Sequence, residues 1–495
     1  MSKLNTESDC VEHFLSKVLE QIKCKPVRAE IESEIRDHIE DSAFEHMDKG
    51  ESREMATEKA VKQMGDPAMI GVELNETHSI QKPFLIYALA GVSVLFGVIS
   101  NLSYGYEIAY SYYFLWGIVV LLAMMTFGYR IIVKHTKMVS LFGGILLLIL
   151  CSRRILLVLN EDLYFYHGSI MGVSFGYNVI FLLVPIFAVT LYRRKNDKLI
   201  KLFLPFLLIL LPVVIQKFYF YDSFVISSFA IFILGAIITY MVLAKGYFAI
   251  GRKKATLLGI GCFAIILTTF IAVFSVSYER FDGTSFSILE ESITLMVNPK
   301  EHATSAAEDG YNGVMIKDLL SKAEFVGEVQ LTKEDMMDYG TGEWYFDLEE
   351  QKNEEKYLHY DINDVTLENI LPQHYLNNYR VAYVILKYGW CAGILFLAEL
   401  GLIVLVMLRT TMRIQNSLGF SLALSGSVLI TLQMIFYILG NFGHQFGKFC
   451  NLPFISEGTM SIIVNMILLG LIISAYRYDR VIGAMTKKRW VKLKV

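Results

Sequence analysis

Leu418 to Gly443 reads LGFSLALSGSVLITLQMIFYILGNFG, 26 residues without a charged side chain. A helix crossing the hydrocarbon of a bilayer needs about 20 consecutive apolar residues. This run is long enough, and it predicts a transmembrane helix. Outward from it, similar runs recur near 84–103, 107–128, 138–159, 169–191, 202–216, 223–244, 255–276, 381–408 and 455–476, the fifth of the ten being short. Composition agrees, with 54% of the 495 residues apolar and 13% aromatic. Soluble domains run to about 45–50% apolar even when glycine is counted. The expected fold is an all-α polytopic membrane protein with about ten transmembrane helices, preceded by a small soluble helical bundle.

Charge decides orientation. The loops after even-numbered spans carry Arg130, Lys134 and Lys137, then Arg193, Arg194, Lys195 and Lys198, then Lys245, Arg252, Lys253 and Lys254, then Arg409 and Arg413. A basic tail at 481–495 follows the last span. The other loops are poor in Lys and Arg and rich in Tyr, Phe, Asp and Glu. Cytoplasmic loops hold the excess of basic residues, so both termini are expected in the cytoplasm. Net charge is only -3, and no basic field points to nucleic acid. Cys10, Cys24, Cys151, Cys262, Cys391 and Cys450 form no CxxC pair, which argues against a zinc site or a disulfide framework. The first 80 residues are polar and charged. No cleavable signal is expected there, and insertion begins at the first apolar span.

Within 1–80, residues 8–78 read as a four-helix module. Val27, Ile31, Ile35, Ile39 and Ala43 recur every four residues between Glu, Arg and Asp, an amphipathic stripe. Gly50 ends that helix and Ser52 is a candidate cap for the next. Gly65-Asp66-Pro67 makes a stop and restart. His13, His38 and His46 lack metal-ligand spacing. One outward loop, 277–380, is far longer than the rest. It holds an amphipathic segment from Tyr311 to Phe325 and an acidic stretch running from Glu334 to Asp364.

The last third resembles the SEDS family (shape, elongation, division and sporulation), which includes FtsW-like and RodA-like proteins. Leu452-Pro453-Phe454-Ile455-Ser456-Glu457-Gly458, followed by Asn465, Gly470 and Arg477, looks like the family's LPFISYGG run. Gln433, Gly443 and Lys448 fall where the family has Gln, Gly and Lys. Arg280, Asn298-Pro299 and Gly310-Tyr311-Asn312 resemble its loop signature, and Leu371-Pro372 followed by Gly389 resembles the approach to the eighth span. The resemblance spans about residues 84–480 and is faint between 84 and 220. Glu34 to Asp41, with Gly50 and Met64-Gly65-Asp66-Pro67, is similar to the permease-prefix (HAAS-like) domain.

The resemblance implies action on lipid II, a polyprenyl-linked cell-wall precursor, in peptidoglycan synthesis, cell shape or division. It also implies a transpeptidase partner, a class B penicillin-binding protein. Glycosyl transfer needs a base for the attacking hydroxyl and positive charge beside the departing pyrophosphate. No cofactor is fixed by the sequence; a divalent cation is the one candidate. In the family an essential Asp precedes the Gly that corresponds to Gly389, and here Asn378 stands in its place. An amide has no useful basicity. Asp361, Asp364 and Glu368 are the alternative acids. Leu386 and Lys387 replace an acidic pair, Tyr437 replaces an Asn, and no Gln-Pro-Ser-Glu motif is found around Ser169 to Asn178. Arg280, Lys448, Gln216, Asp222, Gln433 and Ser456 are the candidate lipid-substrate contacts. Glu399 lies inside a span, and Arg153 and Arg154 lie near an outer end. Two readings follow: a lipid-linked glycosyltransferase, or an inactive membrane regulator, scaffold or lipid transporter.

Overall fold

The computed structural model describes residues 3–103, 112–159, 169–170, 173–174, 177–194, 277–279, 285–302, 310–339, 365–372, 375–445, 451–456 and 458–481, with single positions 205, 235, 237, 260, 261, 264 and 267. The described residues are overwhelmingly helical. The strands among them form two small antiparallel hairpins, β1 (Ser169–Ile170) with β2 (Val173–Ser174), and β3 (Ser277–Glu279) with β4 (Ser285–Ser287). The chain forms two compact units, one of Met1–Pro83, Ile414–Gly419 and Ala475–Val495, the other of Phe84–Arg413 and Phe420–Ser474.

The first unit holds α1 (Lys3–Gln21), α2 (Lys25–Met47), α3 (Arg53–Met64) and α4 (Pro67–Thr77). The α2 stripe from Val27 to Ala43 is buried throughout, as are Leu15 and Val18 of α1 and Ala56 and Ala60 of α3, the helices α2 packs against. Asp66 caps α4 by accepting from the Ala68 amide at 3.1 Å, with Pro67 as the first helical residue. Ser52 occupies the cap position of α3, but its hydroxyl makes no capping bond. Two later segments complete this unit. The Gln81 amide donates to the Arg477 carbonyl at 3.2 Å. The Asp479 carboxylate accepts from the amides of Gln415 at 3.0 Å and Asn416 at 2.8 Å.

The second unit begins with α5 (Phe84–Ser103), α6 (Tyr112–Ala123), α7 (Tyr129–Lys134), α8 (Thr136–Leu159) and α9 (Leu183–Arg193). A π turn at Met124–Gly128 joins α6 to α7. The second span therefore runs Tyr113–Lys134, six residues beyond the end expected from hydropathy. Arg130 and Lys134 lie within it, where a helix C-terminus favours cations and long basic side chains reach water. Just after the π turn, the Tyr129 amide donates to Ser474 Oγ at 3.1 Å. Apart from those single positions, the spans expected at 202–216, 223–244 and 255–276 lie outside the described residues, as does the tail from 482 onward.

The remaining helices are α10 (Ile288–Val297), α11 (Tyr311–Ser321), α12 (Lys333–Tyr339), α13 (Leu367–Ile370), α14 (Tyr375–Asn378), α15 (Arg380–Tyr388), α16 (Trp390–Met412), α17 (Ser417–Asn441) and α18 (Thr459–Arg477). Among the described residues, four helices are long and apolar enough to cross a membrane: Tyr113–Lys134, α16, α17 and α18. They mark the chain as a membrane protein. α17 and α18 are mostly buried within it, while α16 and Tyr113–Lys134 are mostly turned outward. Small residues permit this packing: a Cβ on Gly426 of α17 would lie 3.0 Å from the Leu468 carbonyl of α18.

The span expected at 381–408 is broken. Gly389, at φ +89°, separates α15 from α16. An extended strap, 323–331, splices the break. The amides of Trp390 and Cys391 donate to the carbonyls of Glu324 (2.9 Å) and Phe325 (3.0 Å), and the amides of Gly327 and Val329 donate to those of Tyr388 (3.2 Å) and Leu386 (2.8 Å). Beyond the strap, Thr332 and Asp335 cap α12 reciprocally: the Thr332 amide donates to Asp335 Oδ2 at 2.8 Å and the Asp335 amide to Thr332 Oγ1 at 3.2 Å. Such a box satisfies two helix-end donors at once. Lys322 Nζ also pairs with Asp335 at 2.6 Å.

Candidate functional site

The turn from Asn377 to Ala382 is where separate parts of the chain converge. It joins α14 to α15, and the first amides of a helix have no partner within the helix. α17 supplies partners from one face, through two polar residues one turn apart. Tyr437 Oη donates to the Asn377 carbonyl at 2.8 Å and accepts from the Arg380 amide at 3.0 Å. Asn441 Oδ1 accepts from the amides of Val381 at 2.9 Å and Ala382 at 3.1 Å. Its Nδ2 donates to the carbonyls of Asn378 and Tyr437, both at 2.9 Å.

Ser456 closes the turn from another segment. Its Oγ donates to the Asn377 carbonyl at 3.0 Å and accepts from the Leu452 amide at 2.8 Å. The same loop places Phe454 at φ +71°, alone among the described non-glycine residues. That region is costly for a side chain and persists only where its surroundings impose it. Here the side chain is buried, and the Ser456 amide bonds back to the Leu452 carbonyl at 3.0 Å. Deeper between α17 and α18, Gln433 Nε2 donates to Asn465 Oδ1 at 3.0 Å, and Asn465 Nδ2 returns a bond at 3.3 Å. Gln433 and Ser456 thus spend their polar groups on holding helices and turn together.

The loop signature reaches the same end of α17. Gly443, at φ +79°, packs against Gly313 of α11 so closely that an added Cβ would collide with the Gly313 carbonyl. His444 Nδ1 lies 2.8 Å from the Met296 carbonyl. The neighbourhoods of Asn298-Pro299 and of Gly310-Tyr311-Asn312 therefore meet at 443–444.

Of the acids, Glu368 is paired. Its Oε1 lies 3.2 Å from both Tyr383 Oη and Lys387 Nζ, and Lys387 also holds Glu328 at 2.8 Å. Burial pushes the Glu368 carboxyl up, but its own backbone amide, Lys387 and Tyr383 together hold it below the ordinary value. A general base works best with a pKa near the operating pH; this shift runs the other way. Asn378 offers a half-buried side chain and a carbonyl held by Asn441. The Asn377 side-chain oxygen is buried with no hydrogen-bond partner. Asp361, Asp364, Arg280, Lys448, Gln216 and Asp222 lie outside the described residues, as do the side chains of Arg153 and Arg154. Glu399 of α16 accepts from Ser93 of α5 at 2.6 Å. Among the described residues, no group of three or more His, Cys, Asp or Glu is placed to hold a metal.

Asn441 escaped the sequence reading because it is uncharged and stands in an apolar span. The available signal was its spacing of four from Tyr437, which puts two polar groups on one helical face.

No family model matches the chain, and no curated protein matches it. Among solved structures, one similar chain comes from work described as "Structural coordination of polymerization and crosslinking by a peptidoglycan synthase complex". The TM-score is 0.50 at 14% identity, covering 80% of this chain and 98% of that one. The likeness is one of fold.

Proposed function

We propose that this chain is a SEDS-like membrane protein of the bacterial cell envelope that binds lipid II at the turn between Asn377 and Ala382. In this reading it acts in peptidoglycan synthesis without itself joining glycans. The observation that carries it is the buried, unpartnered oxygen of Asn377 beside Asn378, on a turn fixed by Tyr437, Asn441 and Ser456. A buried acceptor without a donor is costly. A sugar hydroxyl or amide brings the missing donor. The amides of 380–382 are already bonded, so the pyrophosphate must meet side-chain cations, for which Arg280 and Lys448 are the candidates.

The fold likeness to a chain of a peptidoglycan synthase complex supports the envelope assignment. It also supports a class B penicillin-binding protein as partner. The proposed frame is ten spans over 84–480 in the plasma membrane, with both termini cytoplasmic, a permease-prefix-like domain at 1–80 and a basic tail at 481–495. Asn378 and the ion-paired Glu368 favour binding over polymerisation.

The test uses purified full-length protein and labelled lipid II, alone and with a transpeptidase partner. Binding without glycan strands is expected, weakened by Asn377→Leu. Strands that disappear with Asp364→Ala would replace this reading with the glycosyltransferase one. Undetectable binding would sink both. Strands gained by Asn378→Asp would mark the site as intact but for its base.

A further inference from the structure

The strap that splices α15 to α16 carries Phe325 and Val326 at its tip, 68% and 71% exposed. Two large apolar side chains held in water are unfavourable, and this tip cannot tuck them away. Phe325 accepts from the Cys391 amide through its own carbonyl, and Gly327, at φ +101°, donates to Tyr388 on the far side. Both ends of the tip are therefore pinned to the helix break. We propose that Phe325 and Val326 insert into the bilayer interface at the Trp390 end of α16, anchoring the long loop to lipid.

The occupant follows from depth. Trp390 is the first residue of a helix long enough to cross the membrane, and its amide is bonded to Glu324. The tip therefore stands level with the first turn of a span, where the hydrocarbon begins. One turn further in, Ile394 and Leu395 are 54% and 69% exposed on the same helix. The apolar surface of the tip continues a lipid-facing surface. Trp390 and the exposed Tyr388 flank the break, as aromatic side chains do at headgroup level. The charges fit that depth too. Glu324 is exposed to solvent, and Glu328 is ion-paired at 2.8 Å with Lys387, which also holds Glu368 at 3.2 Å. The inference rests on α16 crossing a bilayer, and not on precursor binding.

The experiment places single cysteines at Phe325, Val326, Gln330 and Leu395 in full-length protein whose six native cysteines are replaced. Each carries an environment-sensitive fluorophore, in nanodiscs of phosphatidylcholine and phosphatidylglycerol with or without lipid spin-labelled near the headgroup. Gln330, exposed further along the strap, is the water-facing control, and Leu395 the lipid-facing one. Several-fold stronger lipid quenching at 325 and 326 than at 330, with the reverse order for iodide, is expected. Iodide quenching at 325 and 326 equal to that at 330, with Leu395 still quenched by lipid, overturns the proposal and assigns the tip to a protein partner. Failure at Leu395 as well overturns the membrane reading of α16 and the tip with it. If the cysteine-free chain does not fold, Phe325→Trp in the native background, read against wild type in brominated phosphatidylcholine, makes the same decision.

Discussion

Asn441 answers for four backbone groups, which makes it the most consequential polar side chain among the described residues of α17. Asn441→Ala strands the amides of Val381 and Ala382 together. The expected loss is about 2–3 kcal/mol, since each buried unpaired group costs about 1–3 and the effects do not add fully. Tyr437→Phe removes one hydroxyl and should cost less, about 1–2 kcal/mol. Thermal unfolding in detergent ranks the two; the opposite order would show that Tyr437 carries the turn. Asp335 gives a pH prediction. Burial pushes its carboxyl up, yet Lys322 and the amide and hydroxyl of Thr332 outweigh this and hold it below the usual value. A lowered folded pKa contributes stability at neutral pH that is lost as pH falls through the folded value. Asp335→Asn should therefore flatten the acid side of the stability profile and lower the neutral plateau. The sequence marked Asn378, Gln433 and Ser456 as residues of interest because they fall on motif positions. It gave no sign that Ser456 and Asn441 grip the same turn, since that contact joins residues far apart in the chain.

Among the elements, the broken eighth span shows where hydropathy stops being informative. Val381 to Leu386 is a continuous apolar run, and nothing in its composition distinguishes it from the start of a transmembrane helix. What breaks the helix is a backbone angle at Gly389 and a strap more than fifty residues upstream. Gly389→Ala would place a Cβ 2.6 Å from the Phe325 carbonyl at a φ of +89°. We expect a loss of about 3 kcal/mol, combining the strained backbone with displacement of the strap. Hydrogen exchange should rise at 325–329 and 390–391. Gly91→Ala, on open helix surface with nothing within 4 Å, is the matched control and should stabilise by about 0.5–1 kcal/mol. By contrast α2 was fully legible, because an amphipathic stripe is a local pattern that burial then follows.

At the scale of the whole molecule, the first compact unit is assembled from three stretches of sequence. Charge and composition separated 1–80 from the rest, but they could not reveal that 414–419 and 475–481 join it. Asp479 is the link, since its carboxylate accepts from the amides of Gln415 and Asn416 at the start of the 414–419 segment. Asp479→Ala should cost about 1–3 kcal/mol, the cost of leaving buried amides without their acceptor, and speed exchange at the amides of Gln415 and Asn416. Unchanged exchange there would show that water replaces the carboxylate without loss. The π turn at Met124–Gly128 bears on how related chains are to be compared. It is one residue longer than the α turn it replaces. Removing a single residue there would turn everything before it by about 100° and draw it in by about 1.5 Å. Phe114, now buried, and Gly117, which faces Ile462 and Met466, would swing off their partners. An ancestral insertion of one residue is the simplest origin for such a turn, and a one-residue gap at 124–128 is the scar it should leave when distant homologues are aligned.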